Sequence, residues 1–475
     1  MAPLPVDPST RVVREGLAFA PVSGDRQWRS RRPQVGNVAG MRRPGAVLID
    51  GEERSGPRLR DRAHWHLGAA TSMHAINDAL FAGVYPLLPL IAADLGLSYG
   101  EVGALKAVLG GASALLQVPA GILVEVTGEH LLLAAGTAWV GAGFLAMAMA
   151  ASFPLLLAVA GLAGVGGNAQ HPVANAAVAR RFGGAARSNA VGTLNVGGDI
   201  GKVAAPFVAG AGAMIAGWRG GIAALGILGV AFAAAYVLVV PARWGKDRSP
   251  GPRGEPTVAG DQDLVIDVHH GTRSPWRAAF WGIARPGPFA ALTAIGALDS
   301  AARGAALALM PFAFTRAGLD AGAVGIAFAV LFGAGAAGKF LCGPLAARAG
   351  LATAIVATEV VTAAGLVAIP LAPPEAILWA ILPFGFSLNG TSSILYALVA
   401  PLAIPSRRAR AYGLFYTTSL LALSVAPLAY GLAADAIGLT GAFVALGAAT
   451  LAIVPIAVRW RGAFAHHEMT VTPRA

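Results

Sequence analysis

From His66 onward, the sequence is a succession of apolar blocks of about 20 residues, separated by short polar turns. A helix of that length crosses the ~30 Å hydrocarbon core of a bilayer, where only helices and closed barrels satisfy their own backbone polar groups. Charged residues make up 12% of the 475 residues, whereas a water-facing domain carries roughly 25%. These features predict an all-α membrane protein with twelve transmembrane helices. The predicted spans, numbered 1 to 12 in chain order, are 67–92, 102–124, 131–151, 155–179, 189–216, 221–240, 288–313, 322–346, 351–371, 376–400, 411–433 and 440–458.

The segments outside the spans are polar. Residues 1–65 hold twelve Arg and seven acidic residues and no apolar run long enough to span a bilayer, a composition typical of disordered chains. The stretch 241–287 is rich in Pro and charge and separates spans 6 and 7. The predicted organisation is therefore an Arg-rich, disordered cytoplasmic extension (1–65), an N-terminal six-helix bundle (66–240), a cytoplasmic linker (241–287), a C-terminal six-helix bundle (288–458) and a cytoplasmic tail (459–475).

The distribution of basic residues predicts the orientation. With the N-terminus in the cytoplasm, seventeen Lys and Arg residues beyond the extension fall in cytoplasmic segments, and two, Arg219 and Arg316, fall outside. Because cytoplasmic loops carry the excess of basic residues, both termini are predicted to lie inside. We expect a monomer in the bacterial inner membrane, surrounded by the lipid bilayer. The net charge of +11 is scattered between apolar blocks and forms no stripe, so nucleic acid is not an expected partner.

An offset of 221 residues relates the two halves. Asp78 aligns with Asp299, and Asn168 aligns with Asn389. The other matches are Gly164 with Gly385, Arg187 with Arg408, Pro206 with Pro427, Gly210 with Gly431 and Gly217 with Gly438. Matched glycines alone would be common in this composition, but matched Asp, Asn, Arg and Pro at one offset are not. The sequence therefore predicts two pseudo-symmetric six-helix bundles, the arrangement that lets a transporter rock around a central site.

Two stretches of the sequence indicate a particular protein family. HAINDALFAGVYPLLPLIAADLGLSYGEVG, at 74–103, covers most of span 1 and the following loop. GVGGNAQHPVANAAVARRFGGAARSNAVGTLNVGGDIG, at 164–201, contains HP, RRFGG and GG-x-x-G elements. Both stretches resemble the fosmidomycin-resistance-type transporters of the major facilitator superfamily. The resemblance implies the major facilitator fold and proton-driven export of small molecules, including phosphonate-like or other antibiotics.

The same resemblance implies a gating motif, G-x-x-x-D-R/K-x-G-R, in the loop after span 2. The acid is present only in the first copy of this motif and the base only in the second, so the charged latch to a neighbouring helix is either lost or made differently. The predicted gating residues are Gly121, Glu125 and Gly128 in the first copy and Gly343, Arg348 and Gly350 in the second.

Ionisable residues inside spans are costly and are therefore candidate functional residues. Asp78 lies one helical turn after His74, on the same face of span 1. A low-dielectric environment favours the protonated carboxyl group, and histidine titrates near neutral pH. Asp78, His74 and His171 are therefore the predicted proton-coupling residues. The alternatives are a packing role for Asp78 and a kink at His171, which precedes Pro172.

Polar faces on several spans are predicted to line a watery substrate cavity. The predicted lining residues are Asn77, Asn168, Asn175, Asn195, Asp199, Lys202, Asp299, Arg303, Asn389 and Tyr416. Asp199 and Lys202 lie one turn apart in span 5, as do Asp299 and Arg303 in span 7. The members of each pair could instead neutralise each other. Lys106 and Lys339 are expected to reach the headgroups from the ends of spans 2 and 8. Glu359, in the middle of span 9, has no evident role in the pattern.

These features favour a proton-coupled secondary active transporter that exports a small molecule or antibiotic by alternating access. Uptake of a small anionic metabolite, which Lys202 and Arg303 could bind, is an alternative. A non-transporting scaffold or sensor, or a membrane-embedded enzyme, is an alternative of a different class. The sequence has no HExxH, GxSxG or Walker A motif, and Cys342 is its only cysteine. We therefore predict a transporter and not an enzyme, with a small-molecule substrate and protons as partners and with no cofactor or metal.

Overall fold

A computed structural model describes residues 57–115, 128–167, 173–174, 177–178, 181–182, 184–240 and 280–465. These described residues are almost all helical, and they form no β-strand. Eight of the described helices are long and apolar enough to cross a membrane. Two of the eight each contain two spans, and spans 2 and 4 are only partly described. The eight helices therefore account for ten of the twelve predicted spans, and the described parts of spans 2 and 4 are helical.

The N-terminal bundle is built from spans 1 to 6. Its first helix begins at Pro57, ahead of the predicted boundary at residue 66. Span 1 is interrupted by a single 3-10 turn, Tyr85–Leu87, which contains Pro86, because a proline has no N–H to continue the helical hydrogen bonds. The helices of this half are Pro57–Gly83 and Leu88–Leu95 (span 1), Tyr99–Leu115 (span 2), Glu129–Ala148 (span 3), Phe153–Gly164 (span 4) and Gly184–Val239 (spans 5 and 6).

The C-terminal bundle is built from spans 7 to 12. Asp320 caps span 8, since its carboxylate accepts a 2.7 Å hydrogen bond from the backbone N–H of Ala323. The helices of this half are Pro286–Arg316 (span 7), Ala321–Ala349 (span 8), Leu351–Ala368 (span 9), Pro374–Leu402 (span 10), and Arg408–Leu451 with Ile453–Arg459 (spans 11 and 12). A short helix, Arg461–Ala465, follows.

The two halves break their longest helices at equivalent glycines. Gly217 separates span 5 from span 6 with a φ of 59°, and Gly438 separates span 11 from span 12 with a φ of 80°. Positive φ favours glycine because a Cβ would clash there. These two glycines form one of the matched pairs at the 221-residue offset. The internal repeat predicted from the sequence is therefore visible in the turns that connect the spans.

Spans 2 and 11 bring the two halves into close contact. A Cβ on Gly103 would overlap the backbone of Pro427, and a Cβ on Gly431 would overlap the backbone of Tyr99. Small residues are the usual means by which helices approach closely in membranes. The glycines of spans 2 and 11 therefore let the two bundles touch backbone to backbone.

The same end of the interface is closed by aromatic and polar contacts. Tyr85 stacks on Phe328 with ring centroids 6.1 Å apart, and Tyr99 meets Phe312 edge-on at 5.1 Å. The Asp435 carboxylate accepts hydrogen bonds of 2.8 Å from the backbone N–H groups of Tyr99 and Gly100, at the N-terminus of span 2, where a negative charge is favoured. In the predicted orientation, this closed end is the outer one.

Candidate functional site

Two adjoining chambers lie between the halves. The deep chamber has a volume of about 310 Å³ and lies next to the closed end, with Tyr85 and Lys106 in its wall. The entrance chamber has a volume of about 700 Å³ and extends to the opposite end, with Gly192 and Tyr412 in its wall. The residues common to both walls are Asp78, Lys202, Arg303, Lys339, Tyr396 and Tyr416. Charged side chains therefore form the boundary between the two chambers.

Glycines of span 5 position Asp78 and His74 at this boundary. A Cβ on Gly198 would lie 2.6 Å from Asp78 Oδ2 and 2.8 Å from His74 Nε2, and a Cβ on Gly201 would overlap the backbone of Ala75. Only a helix without side chains on this face can lie so close to span 1. The GG-x-x-G element at 197–201 therefore sets the contact between spans 1 and 5 on which the site depends.

A chain of four charged groups crosses the interface. Lys202 Nζ lies 2.8 Å from Asp78 Oδ2 and 3.2 Å from Asp199 Oδ1. Lys339 Nζ, from the C-terminal half, lies 2.6 Å from Asp199 Oδ1. The predicted pairing of Asp199 with Lys202 is therefore present, but it is one link of a longer chain. Two carboxylates and two ammonium groups make this chain electrically balanced when all four are ionised.

His74 adds a titratable group to one end of the chain. Its Nε2 lies 3.9 Å from Asp78 Oδ2, and the residue is 2% exposed. The i, i+4 spacing predicted this contact. Asp78 therefore lies between an imidazole on its own helix and an ammonium group on span 5.

The equivalent position in the C-terminal half is more enclosed. Asp299 is 3% exposed and forms an ion pair with Arg303, whose Nε also donates a 3.1 Å hydrogen bond to the carbonyl of Leu388. Glu359 of span 9, which is 0% exposed, lies beside Asp299 and Thr391. This cluster contains two acids and one cation, and its arginine faces both chambers.

Lys106 and Lys339 do not reach the headgroups, so that expectation is wrong. Lys106 is 6% exposed, with its Nζ 3.8 Å from the centroid of the Tyr85 ring. Lys339 points into the chambers and binds Asp199. The expectation fails because the position of a residue along a span does not determine which way the helix turns its side chain. Their rarity inside an apolar helix was the available signal.

Most of the predicted cavity residues lie on the chamber walls. Asp299 is the exception, since it lies behind Arg303 and lines neither chamber. The predicted residues on the walls are Asn77, Asn195, Asp199, Lys202, Arg303, Asn389 and Tyr416. Those outside the described residues are Asn168, His171 and Asn175, together with the gating residues Gly121 and Glu125.

The described gating residues lie at helix ends. Gly128 and Gly350 have φ values of 80° and 88° and precede spans 3 and 9. Gly343 and Arg348 are exposed near the end of span 8, and no ion pair joins Arg348 to a described residue. At the first copy of the motif, Glu129 lies 2.9 Å from Arg181 NH1, within the N-terminal half. The described charge pair at this end therefore holds one half together and does not link the two.

The family follows from comparison with known proteins. A family model described as Major Facilitator Superfamily matches residues 70–400. The chain belongs to this superfamily. It is therefore a membrane transporter and not an enzyme, and the predicted all-α major facilitator fold is confirmed.

Two curated relatives come from Escherichia coli (strain K12). The Fosmidomycin resistance protein is 28% identical over 190 residues, which cover 40% of this chain and 46% of that protein. The Probable L-galactonate transporter is 29% identical over 147 residues, which cover 31% of this chain and 32% of that protein. The chain thus matches less than half the length of each of these relatives.

Solved structures share the fold over nearly their whole length. A bacterial homologue of the human lysosomal transporter Spinster, in an inward-facing and occupied conformation, has a TM-score of 0.66 at 17% identity and covers 88% of this chain and 98% of that chain. The nucleoside transporter NupG has a TM-score of 0.62 at 13% identity and covers 85% and 100%. Similarity at this level of identity concerns the fold alone.

Proposed function

We propose that the protein is a proton-coupled secondary active transporter that exports a small molecule by alternating access. The observation that carries the proposal is the charged chain from Asp78 through Lys202 and Asp199 to Lys339, which crosses the interface between the halves and borders both chambers. A group that binds and releases protons can control alternating access only if it contacts the elements that move. Asp78 meets this condition.

The ion pairs supply a mechanism for coupling. When Asp78 is ionised, Lys202 is shared between Asp78 and Asp199. A proton on Asp78 removes one side of this attraction, because an uncharged acid no longer holds the ammonium group. Lys202 then pairs with Asp199 alone. The charge of Asp199 is balanced by Lys202, so its ion pair with Lys339 is weaker. Proton binding in one half thereby weakens a contact with the other half.

Alternating access requires one closed end and one open end, and the interface between the halves has both. The contacts among spans 1, 2, 7, 8 and 11 close the end beside the deep chamber, while the entrance chamber extends to the other end. Rocking of one bundle against the other would exchange the closed end with the open one. With both termini in the cytoplasm of a bacterium, as the positive-inside pattern favours, the described state faces inward.

Uptake of a small anionic metabolite is the second candidate. The chamber walls carry four cations, Lys106, Lys202, Arg303 and Lys339, against the carboxylates of Asp78 and Asp199. The name of one relative, Probable L-galactonate transporter, also concerns an anion. Export is favoured by the name of the other relative, which matches a longer part of the chain.

The direction of coupling separates the two candidates. Purified protein in proteoliposomes would be given fosmidomycin or L-galactonate outside, with the lumen either acidic or alkaline. An exporter that exchanges solute for protons should accumulate the probe only when the lumen is acidic. A symporter for uptake should accumulate it only when the lumen is alkaline. Accumulation that ignores the pH gradient would contradict proton coupling in either direction.

A further inference from the structure

Lys106 is a cation buried in the wall of the deep chamber without an acidic partner among the described residues. It lies on span 2, is 6% exposed and places its Nζ 3.8 Å from the centroid of the Tyr85 ring. No described carboxylate forms an ion pair with it, whereas Lys202 and Lys339 both bind Asp199. Burying an unpaired charge is costly, and a tyrosine ring compensates for only part of that cost. Lys106 therefore lacks a counter-charge within the described part of the chain.

Polar atoms without partners surround the same chamber. Asn77 Oδ1, Ser113 Oγ and Ser419 Oγ are buried with no hydrogen-bond partner among the described groups, and all three residues line the deep chamber. Buried polar atoms nearly always have a partner. Three unsatisfied residues around one cavity, from spans 1, 2 and 11, indicate a site built for a polar ligand.

We propose that the deep chamber binds the anionic group of the transported solute, a carboxylate or a phosphonate, with Lys106 as its counter-charge. The hydroxyls of Ser113 and Ser419 donate hydrogen bonds to its oxygens, while Asn77 Oδ1, which can only accept, binds a donor group elsewhere on the solute. This inference rests on the proposed transport function and names the chemical class of the substrate. It assigns the anion to Lys106, whereas the alternative that the sequence suggested placed it on Lys202 and Arg303.

The rest of the wall fits a small organic acid. The other charged groups of the deep chamber are paired: Asp78 with Lys202 at 2.8 Å, Lys339 with Asp199, and Arg303 with Asp299. Among the described residues of this wall, Lys106 therefore carries the unpaired charge. The apolar part of the wall, which would contact the carbon skeleton of the solute, comprises Phe81, Leu307, Phe332, Leu420 and Leu423. A volume of about 310 Å³ is at the lower end of ligand pockets, which span roughly 300–1,000 Å³.

The bound anion would also connect the two halves. Lys106 and Ser113 lie on span 2, and Ser419 lies on span 11, the two spans that touch backbone to backbone at the closed end. An anion held by both spans would stabilise the closed end. Substrate binding would thus act on the same interface that the charged chain crosses.

The test measures thermal stabilisation of the full-length purified protein by small probes. Methylphosphonate, butyrate or both should stabilise the protein, while butyramide, a neutral analogue of butyrate, should not. Lys106→Gln should lower the affinity for the anionic probes at least tenfold, and Lys106→Arg should lower it less. The matched control is Arg316→Gln, which removes an exposed cation outside both chambers and should bind the probes like the wild type. If only one of the two anions binds, that result identifies the acid group.

Other outcomes would overturn the proposal. Equal binding of butyrate and butyramide, or unchanged anion affinity in Lys106→Gln, would do so. Should Lys106→Gln fail to fold, Ser113→Ala and Ser419→Ala provide a second test. Each should lower the affinity for the anionic probes severalfold. Unchanged affinity in both variants would overturn the proposal. Failure of the proposed function gives a different pattern, in which the wild type binds methylphosphonate but no probe moves in response to a pH gradient.

Discussion

Asp78 and Asp299 occupy equivalent positions in the two halves, yet they differ in their access to the chambers and in their ion-pair partners. Asp78 borders both chambers, and its partner Lys202 also binds Asp199. Asp299 borders neither chamber; it is buried beside Glu359 and forms an ion pair with Arg303. Loss of charge at Asp78 leaves Lys202 paired, whereas loss of charge at Asp299 removes the ion-pair partner of Arg303. We therefore propose that the duplicated scaffold divides the work of its two carboxylates, with the charge of Asp78 changing during transport while Asp299 stays paired with Arg303.

The largest effect on stability is expected at Asp299. Asp299→Asn removes one member of a buried ion pair, which typically costs about 3–5 kcal/mol because the other charge remains buried. Thermal unfolding in detergent would measure the loss. Adding Arg303→Met should recover much of it, while adding Glu359→Gln should deepen it, since Glu359 is the nearest remaining acid. If Asp299→Asn alone were as stable as the wild type, the proposed structural role of Asp299 would be contradicted.

A smaller effect is expected at the link between the halves. Lys339→Gln breaks the 2.6 Å contact with Asp199 but leaves Asp199 paired with Lys202. An ion pair worth about 1 kcal/mol would shift the populations of the two conformations about fivefold. Labelling of Asn195→Cys, in the entrance chamber, by a maleimide should slow accordingly in a Cys342→Ala background. Arg316→Gln serves as the control, and equal labelling rates in both variants would show that the contact does not bias the conformation.

Sequence reasoning predicted the parts of this site that depend on a single helix. The spacing of Asp299 and Arg303, of Asp199 and Lys202, and of His74 and Asp78 is i, i+3 or i, i+4, and all three pairs are in contact. The 221-residue offset likewise predicted the matching helix breaks.

The contacts between helices could not be predicted in this way. The pairing of Lys202 with Asp78, the contact of Lys339 with Asp199 and the burial of Lys106 against Tyr85 each join two spans. They depend on how each helix is rotated about its own axis and on how closely the glycines allow the helices to approach. A pattern within one helix fixes neither quantity. The outer closure by spans 2 and 11 explains why Lys106 is covered and does not reach the headgroups.

The smallest effect is expected at Glu359. Arg303 can balance only one of the two acids beside it, so Glu359→Gln removes a carboxyl group that has no cation of its own. Glutamine keeps the size and the hydrogen-bonding ability of the side chain. The free energy of unfolding should therefore change by no more than about 1 kcal/mol. A loss as large as that of Asp299→Asn would show that the two acids share the cation equally.

The most direct test of the central claim is proton flux through Asp78→Asn. Wild-type and variant proteins would be compared in proteoliposomes with the probe that the wild type accumulates, while the pH of the lumen is recorded. We predict that Asp78→Asn folds normally and exchanges labelled for unlabelled probe, yet neither moves protons with the probe nor accumulates it against its gradient. Asp78→Glu, which keeps the titratable group, should retain part of the coupled flux. Normal coupled flux through Asp78→Asn would contradict the account and transfer the proton site to Asp199 or His171.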